Sequence, residues 1–317
     1  MKDTKHKILT LAALTTIAAG VIHLTNRVIV ASSQLKEMLD FSNHNYYNWR
    51  FGKIYYTKKG KGSPLLLIHD TMPGASGYEW SRVEDQLAQE HTVYTLDLLG
   101  CGRSEKAGIT YTNFLFVQII CDFIKNVIKE KTDIIASGFS CSFVTTAAAY
   151  DKESINKIMF INPVSMISLA QTTTKKDKLF KFFIELPIFG TFIYHIIVSR
   201  ETINDFFLDK LYYNPFHVDK DVLDAYYEAA HRGGCYAKNV YANKASKYMN
   251  IDITRGLKEI DNSLYIVEGE AENNGEAIVE AYQNVNPSVE VATLKETKHF
   301  PHVEVPEQFL EQVGIFF

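Results

Sequence analysis

The chain has 317 residues, of which 46% are hydrophobic and 22% charged, and its formal net charge is -4. This composition excludes a disordered chain and offers no basic surface for nucleic acid. The length suits one large domain with an insertion, or two ordinary domains. Cys101, Cys121, Cys141 and Cys235 show neither CxxC pairing nor metal-ligand spacing, so they read as free thiols, with a disulfide of unspecified connectivity as the alternative, and slightly favour a reducing compartment.

At the N-terminus Lys2, Lys5 and Lys7 precede an apolar run from Ile8 to Leu24, whose polar members are threonines and His23. The run is close to the roughly 20 residues that a spanning helix needs. A cleaved signal peptide would need a small-x-small site, and Ala31-Ser32-Ser33 is a poor one. A buried core helix would carry a polar face. The expectation is a retained anchor over residues 1–31, with the lysines inside and the domain outside; cleavage would make the protein secreted. The free thiols argue weakly against an outside location. Residues 32–45 are polar and read as a tether.

From Tyr46 the pattern turns β-rich. Tyr47–Tyr56 alternates as one half-buried strand does, and Lys58–Ser63 is a turn. Pro64–His69 is a continuous apolar run, as in a strand buried on both faces of a parallel sheet. Ser76–Glu90 has helical spacing and Thr92–Asp97 reads as a strand. Phe114–Lys131 reads as a helix, Thr132–Ala136 as a strand, Cys141–Tyr150 as a helix and Lys157–Ile161 as a strand. This alternation predicts an α/β domain with a right-handed βαβ sheet. Residues 164–250 then carry amphipathic helical stretches and no strand pattern. Strand and helix alternate again over Ser263–Glu268, Glu272–Val285, Ser288–Leu294 and Pro306–Phe317.

Between a strand and a helix lies Gly138-Phe139-Ser140-Cys141-Ser142, a GxSx-small string. In that setting a serine can occupy a strained turn with its Oγ clear of the backbone. Other strings follow in order: Leu65-Leu66-Leu67-Ile68-His69-Asp70, Asp97-Leu98-Leu99-Gly100-Cys101-Gly102-Arg103-Ser104, Asn162-Pro163, Gly269-Glu270-Ala271-Glu272, and His299-Phe300-Pro301-His302. Over residues 46–317 these resemble the capped branch of the α/β-hydrolase superfamily. The resemblance implies an α/β-hydrolase fold, a mostly parallel sheet flanked by helices. Residues 46–163 would form its first half, 164–250 a helical cap and 251–317 its second half.

The resemblance implies Ser140 as nucleophile, His299 as base and Glu272 as the acid that orients it, with Glu270 the substitute. Backbone N–H groups of Thr71 and Cys141 would hold the oxyanion. His69, Asp70 and Phe139 would border the substrate. Asp70 stands where the family usually has glycine, and Ser142 replaces the usual second glycine. His302 reads as structural. No metal or organic cofactor is called for. The cap carries Lys175, Lys176, Lys178 and Lys181 before the apolar stretch Leu186–Val198, so it reads as a lid over an apolar pocket. The expected function is a membrane-anchored hydrolase of a small to medium apolar ester, working through an acyl-enzyme. An acyltransferase with the same triad and an inactive binding protein are the alternatives.

Overall fold

The computed structural model describes residues 2–39 and 45–317. Its sheet has eight strands in the order β1-β2-β4-β3-β5-β6-β7-β8. They are β1 (Tyr46–Trp49), β2 (Gly52–Lys59), β3 (Ser63–Ile68), β4 (His91–Leu96), β5 (Thr132–Ser137), β6 (Ile155–Ile161), β7 (Leu264–Gly269) and β8 (Glu290–Leu294). β1–β2 and β2–β4 pair antiparallel; every other neighbouring pair is parallel. The central strands β3 and β5 are buried along nearly their whole length, so β3 reads as a continuous apolar run, while β5 buries Thr132, Asp133 and Ser137 around Ile134-Ile135-Ala136.

The helices used below are α1 (Lys2–Ser33), α2 (Asn113–Phe123), α3 (Ser140–Tyr150), α4 (Lys175–Glu185), α5 (Phe189–Ile197), α6 (Arg200–Phe206), α7 (Lys220–His231), α8 (Asn239–Ala245), α9 (Gly275–Val285) and α10 (Pro306–Phe316). One face of the sheet packs against α2, α3 and α9 through residues such as Phe116, Val144 and Tyr282. The other packs against Trp80 and α10, with Phe309 and Val313. Between β6 and β7 the described chain is helical, and this cap has its own cluster of Tyr194, Phe207 and Tyr226, which reaches Phe300 of the core.

Three local expectations need correction. The single strand over Tyr47–Tyr56 is a hairpin, β1 and β2, turned at Arg50–Phe51. The helix over Ser76–Glu90 is two short turns, Gly77–Trp80, capped by Ser76, and Glu84–Leu87, with Glu79 of the first turned to a buried hydrogen bond from the Asp70 N–H. The tether is also shorter than expected. Helix α1 runs to Ser33, Lys36 pairs with Asp224, and Leu39 is buried against α7. The rest of that tether, 40–44, lies outside the described residues, as do the side chains of Lys2 and Lys5.

Candidate active site

Strand β5 ends at Ser137, and the chain then turns sharply into α3. The residue at that turn is Gly138, with φ of +53°. Glycine suits it because a left-handed conformation costs glycine little. There is a second reason. A Cβ on Gly138 would lie 2.5 Å from the Asp70 Cγ. The carboxyl of Asp70, which follows β3, therefore fills the space that a side chain on the turn would occupy.

The Asp70 carboxylate is gripped from several sides. Its Oδ1 accepts hydrogen bonds from the Thr71 N–H at 2.5 Å and the Phe139 N–H at 3.0 Å, and Lys244 Nζ stands 3.4 Å away. The N-terminus of α3 begins just beyond Phe139, so the helix dipole adds to this positive seat. Its Oδ2 lies 3.6 Å from His299 Nε2. Burial opposes the charge on Asp70, but Lys244 and His299 outweigh it and hold the carboxyl well below the usual carboxylate range. Two backbone donors converging on one oxygen form the kind of seat that stabilises a tetrahedral oxyanion.

On the far side, His299 Nδ1 is 3.2 Å from Glu272 Oε2. Glu270 faces elsewhere and accepts from the Glu296 N–H. Burial works against a charged His299 ring, yet the hydrogen bonds that it donates to the Asp70 and Glu272 carboxylates win and raise its pKa to about 10. The loop is fixed by Asn162, whose Nδ2 donates to the carbonyls of Lys298 and His299 while its Oδ1 accepts from the Gly269 N–H. Asp70, His299 and Glu272 thus form a carboxylate–imidazole–carboxylate line.

Ser140, the expected nucleophile, is the first residue of α3 and fully buried, and its Oγ donates to the His69 carbonyl at 2.6 Å. The expectation of a serine at the turn is corrected: the turn falls two residues earlier, and His299 faces Asp70. Cys141 is corrected with it, since its N–H turns to the Gly138 carbonyl and the second donor into the seat is Phe139. Thr71 contributes its N–H as expected. His69 does not border a substrate. It is fully buried, its Nε2 accepts from the Leu98 N–H at 3.0 Å and its Nδ1 donates to the Asp70 carbonyl. The Phe139 ring packs edge-on to Phe143, with Lys244 Nζ 5.0 Å above it.

Asp97 binds the Gly77 and Arg103 backbone N–H groups and the Arg103 guanidinium, so the Asp97–Ser104 turn is a structural clasp. His302 is fully buried, 3.4 Å from Glu79 and stacked near Trp80. Glu79 also accepts from the Asp70 N–H and from Ser137. Sequence reasoning missed Glu79, Lys244 and the role of Gly138. No local signal marks a lysine on α8, some 170 positions from its partner. For Gly138 the signal was a strand end: the strand read over Thr132–Ala136 runs on to Ser137, which makes Gly138 the first residue of the turn. An apolar cavity of about 380 Å³ lies beside the site, bounded by Met72, Ile203, Phe206, Phe207, Tyr241 and Lys244. No group of three or more His, Cys, Asp or Glu side chains among the described residues is placed to hold a metal ion.

Residues 65–312 match the model of the alpha/beta hydrolase family, and the chain belongs to that family. It is 28% identical over 114 residues to the 2-hydroxy-6-oxo-6-(2'-aminophenyl)hexa-2,4-dienoic acid hydrolase of Metapseudomonas resinovorans, covering 35% of this chain and 39% of that protein. It is 29% identical over 109 residues to the soluble epoxide hydrolase of Corynebacterium sp. (strain C12), covering 34% and 37%. Both matches span less than half of the relative. In structure it resembles a membrane phospholipase A described as a bacterial virulence factor, with a TM-score of 0.68, 18% identity, and coverage of 98% of this chain and 97% of that one. That likeness concerns the fold.

Proposed function

We propose that the chain is a hydrolase whose nucleophile is the Asp70 carboxylate, acting on an electrophilic saturated carbon, with an apolar epoxide as the substrate class. One observation carries this reading: Asp70 Oδ1 sits between two backbone N–H donors while Oδ2 faces His299. A carboxylate so placed has one oxygen for attack and one already in an oxyanion seat. Similarity to a relative named as an epoxide hydrolase agrees with it.

The steps balance. Oδ2 attacks an epoxide carbon, a C–O bond forms and the ring C–O bond breaks. The alkoxide takes the His299 proton, with Lys244 stabilising the negative charge. Asp70 is now a neutral ester, so one of the two carboxylates holding the His299 proton is gone and the ring becomes a base. It takes a proton from water as the hydroxide attacks Cγ, and the oxyanion on Oδ1 rests on Thr71 and Phe139. Collapse expels the diol oxygen, which recovers that proton, and the resulting carboxylic acid returns its own proton to His299.

The test is to incubate the protein with an aliphatic or aryl epoxide and follow diol formation and intact mass. His299→Ala should form the ester adduct on the Asp70 peptide more slowly, lacking the proton donor, and then hold it without hydrolysis, and Asp70→Asn should form neither adduct nor diol. An adduct on Ser140, or turnover by Asp70→Asn, would overturn the reading. The occupied seat also favours one other reading, an inactive binding protein; it predicts no adduct and no diol with any epoxide or ester.

We further propose that α1 anchors the chain in a membrane. From His6 to Ser33 it is one helix, whose most apolar 18-residue stretch has a mean hydropathy of 1.9 and is unburied. Carboxylic-ester hydrolysis through Ser140, the expectation from the sequence, has no support in the placement of that hydroxyl.

A further inference from the structure

Helix α1 has two parts. From His6 to Ala18 it is exposed all round. Beyond that one side loses exposure at Ala19, Ile22, Asn26, Val30 and Ser33, the spacing of a single helix face, and this part lies against α5 and α7 of the cap. Lys7 and Arg27 are the charges that bracket the apolar run, so Ile8–Asn26 is the stretch a bilayer would hold. At 1.5 Å per residue it spans about 28 Å, close to the roughly 30 Å of a hydrocarbon core.

The point of contact matters. Asn26 Nδ2 donates to the carbonyl of Ile188 at 3.0 Å. Asn26 lies at the end of that stretch, so Ile188, in the elbow between α4 and α5, stands where the bilayer surface would be. That elbow is bent by 102° and exposes large apolar side chains, Phe182 at 59%, Phe183 at 49% and Phe189 at 44%, with Ile196 at 57% further along α5. Contiguous apolar surface beside an apolar helix is unusual for a face bathed in water. Lys175, Lys176 and Lys178 begin α4 and are exposed, the charge that suits lipid phosphates. Ile197 and Val198, at the end of α5, line the cavity that leads past Lys244 toward Asp70.

We infer that the α4–α5 elbow of the cap is a second membrane contact, dipping into the leaflet that holds α1, so that the apolar cavity takes its substrate from the lipid phase. The occupant of the exposed face is the lipid bilayer. This rests on α1 being the anchor. It does not rest on the chemistry of Asp70, because the test reads insertion and not turnover.

Full-length protein is reconstituted in vesicles of phosphatidylcholine brominated along its acyl chains. Each of three variants adds one tryptophan: Leu14→Trp in α1, Phe183→Trp in the elbow, and Phe216→Trp, 95% exposed elsewhere on the cap. The wild-type signal, from Trp49 and Trp80, is subtracted. The expected result is strong quenching of Leu14→Trp, about half-maximal or greater quenching of Phe183→Trp with blue-shifted emission, and none of Phe216→Trp. Quenching of Leu14→Trp without that of Phe183→Trp would overturn the elbow contact and leave the anchor standing. Quenching of neither would overturn both.

Discussion

On the β7 side of the site the side chains stand on loops; on the β3 side they stand at strand ends. Glu272 and His299 come from turns after β7 and β8 and are brought together by Asn162, which holds the His299 loop through two backbone carbonyls. Asp70 and Gly138 follow the two central parallel strands, and their backbones are fixed by the sheet. Loop residues can be repositioned with little cost elsewhere. Strand ends cannot, so one side chain fits between β3 and β5, and Asp70 takes the place that Gly138 leaves vacant. Under the proposed reading the reactive group stands after β3 rather than after β5, while the two backbone donors of the seat stay at the ends of both strands.

The largest effects should come from the strand side. Asp70→Asn keeps the shape but removes the attacking charge, and kcat on an epoxide is expected to fall by about 10³-fold or more. Gly138→Ser should damage folding, since its Cβ meets the Asp70 carboxyl and its φ is positive; thermal melting would show a loss of about 1–3 kcal/mol. Asp70→Gly with Gly138→Ser should recover that loss, a coupling of about 0.5–3 kcal/mol, and should acquire ester hydrolysis. Two independent losses that simply add would break the exchange argument.

The loop side ranks next. Glu272→Gln leaves the imidazole without its orienting charge, and kcat should fall by about 10²–10⁴-fold, whereas Glu270→Gln should change it by less than about twofold. The reverse ranking would place the acid two residues earlier.

A smaller effect is expected in pH dependence. Because His299 is raised from 6.5 to about 10, its charged form stabilises the fold fully below pH 6.5, and that stability is lost as the pH rises through about 10. Asp70 is depressed, so its contribution holds above the ordinary carboxylate range and disappears only in strong acid. Between pH 6.5 and 10 the loss from His299 is opposed by Lys106 and Lys238, which burial lowers to about 8, so the His299 contribution is read as a difference between variants. Across this window the melting temperature of Asp70→Asn should fall less, or rise more, than that of the wild type. Parallel curves would show that Asp70 does not support the ring charge.

The same contrast explains how much was legible. The alternation of buried strands and helices, the helical insertion, and the turns that carry Glu272 and His299 could be read because each rests on a local string at the end of an element. The position of Ser140 differs from that expected because the GxS string does not mark the turn, which is set by where β5 stops. The oddity of Asp70 was visible, but its meaning needed the distance from Gly138, which no periodicity contains. The helix expected at Ser76–Glu90 failed for a related reason: Glu79 is turned inward to the Asp70 N–H and His302, a tertiary demand that overrides helical spacing.

The smallest effect should belong to Ser140, and it discriminates most sharply between the two ways of reading the turn. Its hydroxyl makes one buried hydrogen bond, to the His69 carbonyl at the end of β3. Ser140→Ala removes that donor and leaves the carbonyl less well satisfied, at a cost of about 1–2 kcal/mol and a fall of a few degrees in melting temperature. Because the bond points to the backbone before Asp70 and not to His299, kcat on an epoxide should stay within a few-fold of wild type. A fluorophosphonate should leave Ser140 unlabelled, since a buried hydroxyl with no adjacent base is a poor nucleophile. If Ser140→Ala instead abolished turnover and the wild type were labelled there, the start of α3 would have to unwind to bring the hydroxyl to His299. The Asp70 carboxylate would then have to leave its seat, and both halves of the strand-end argument would fall together.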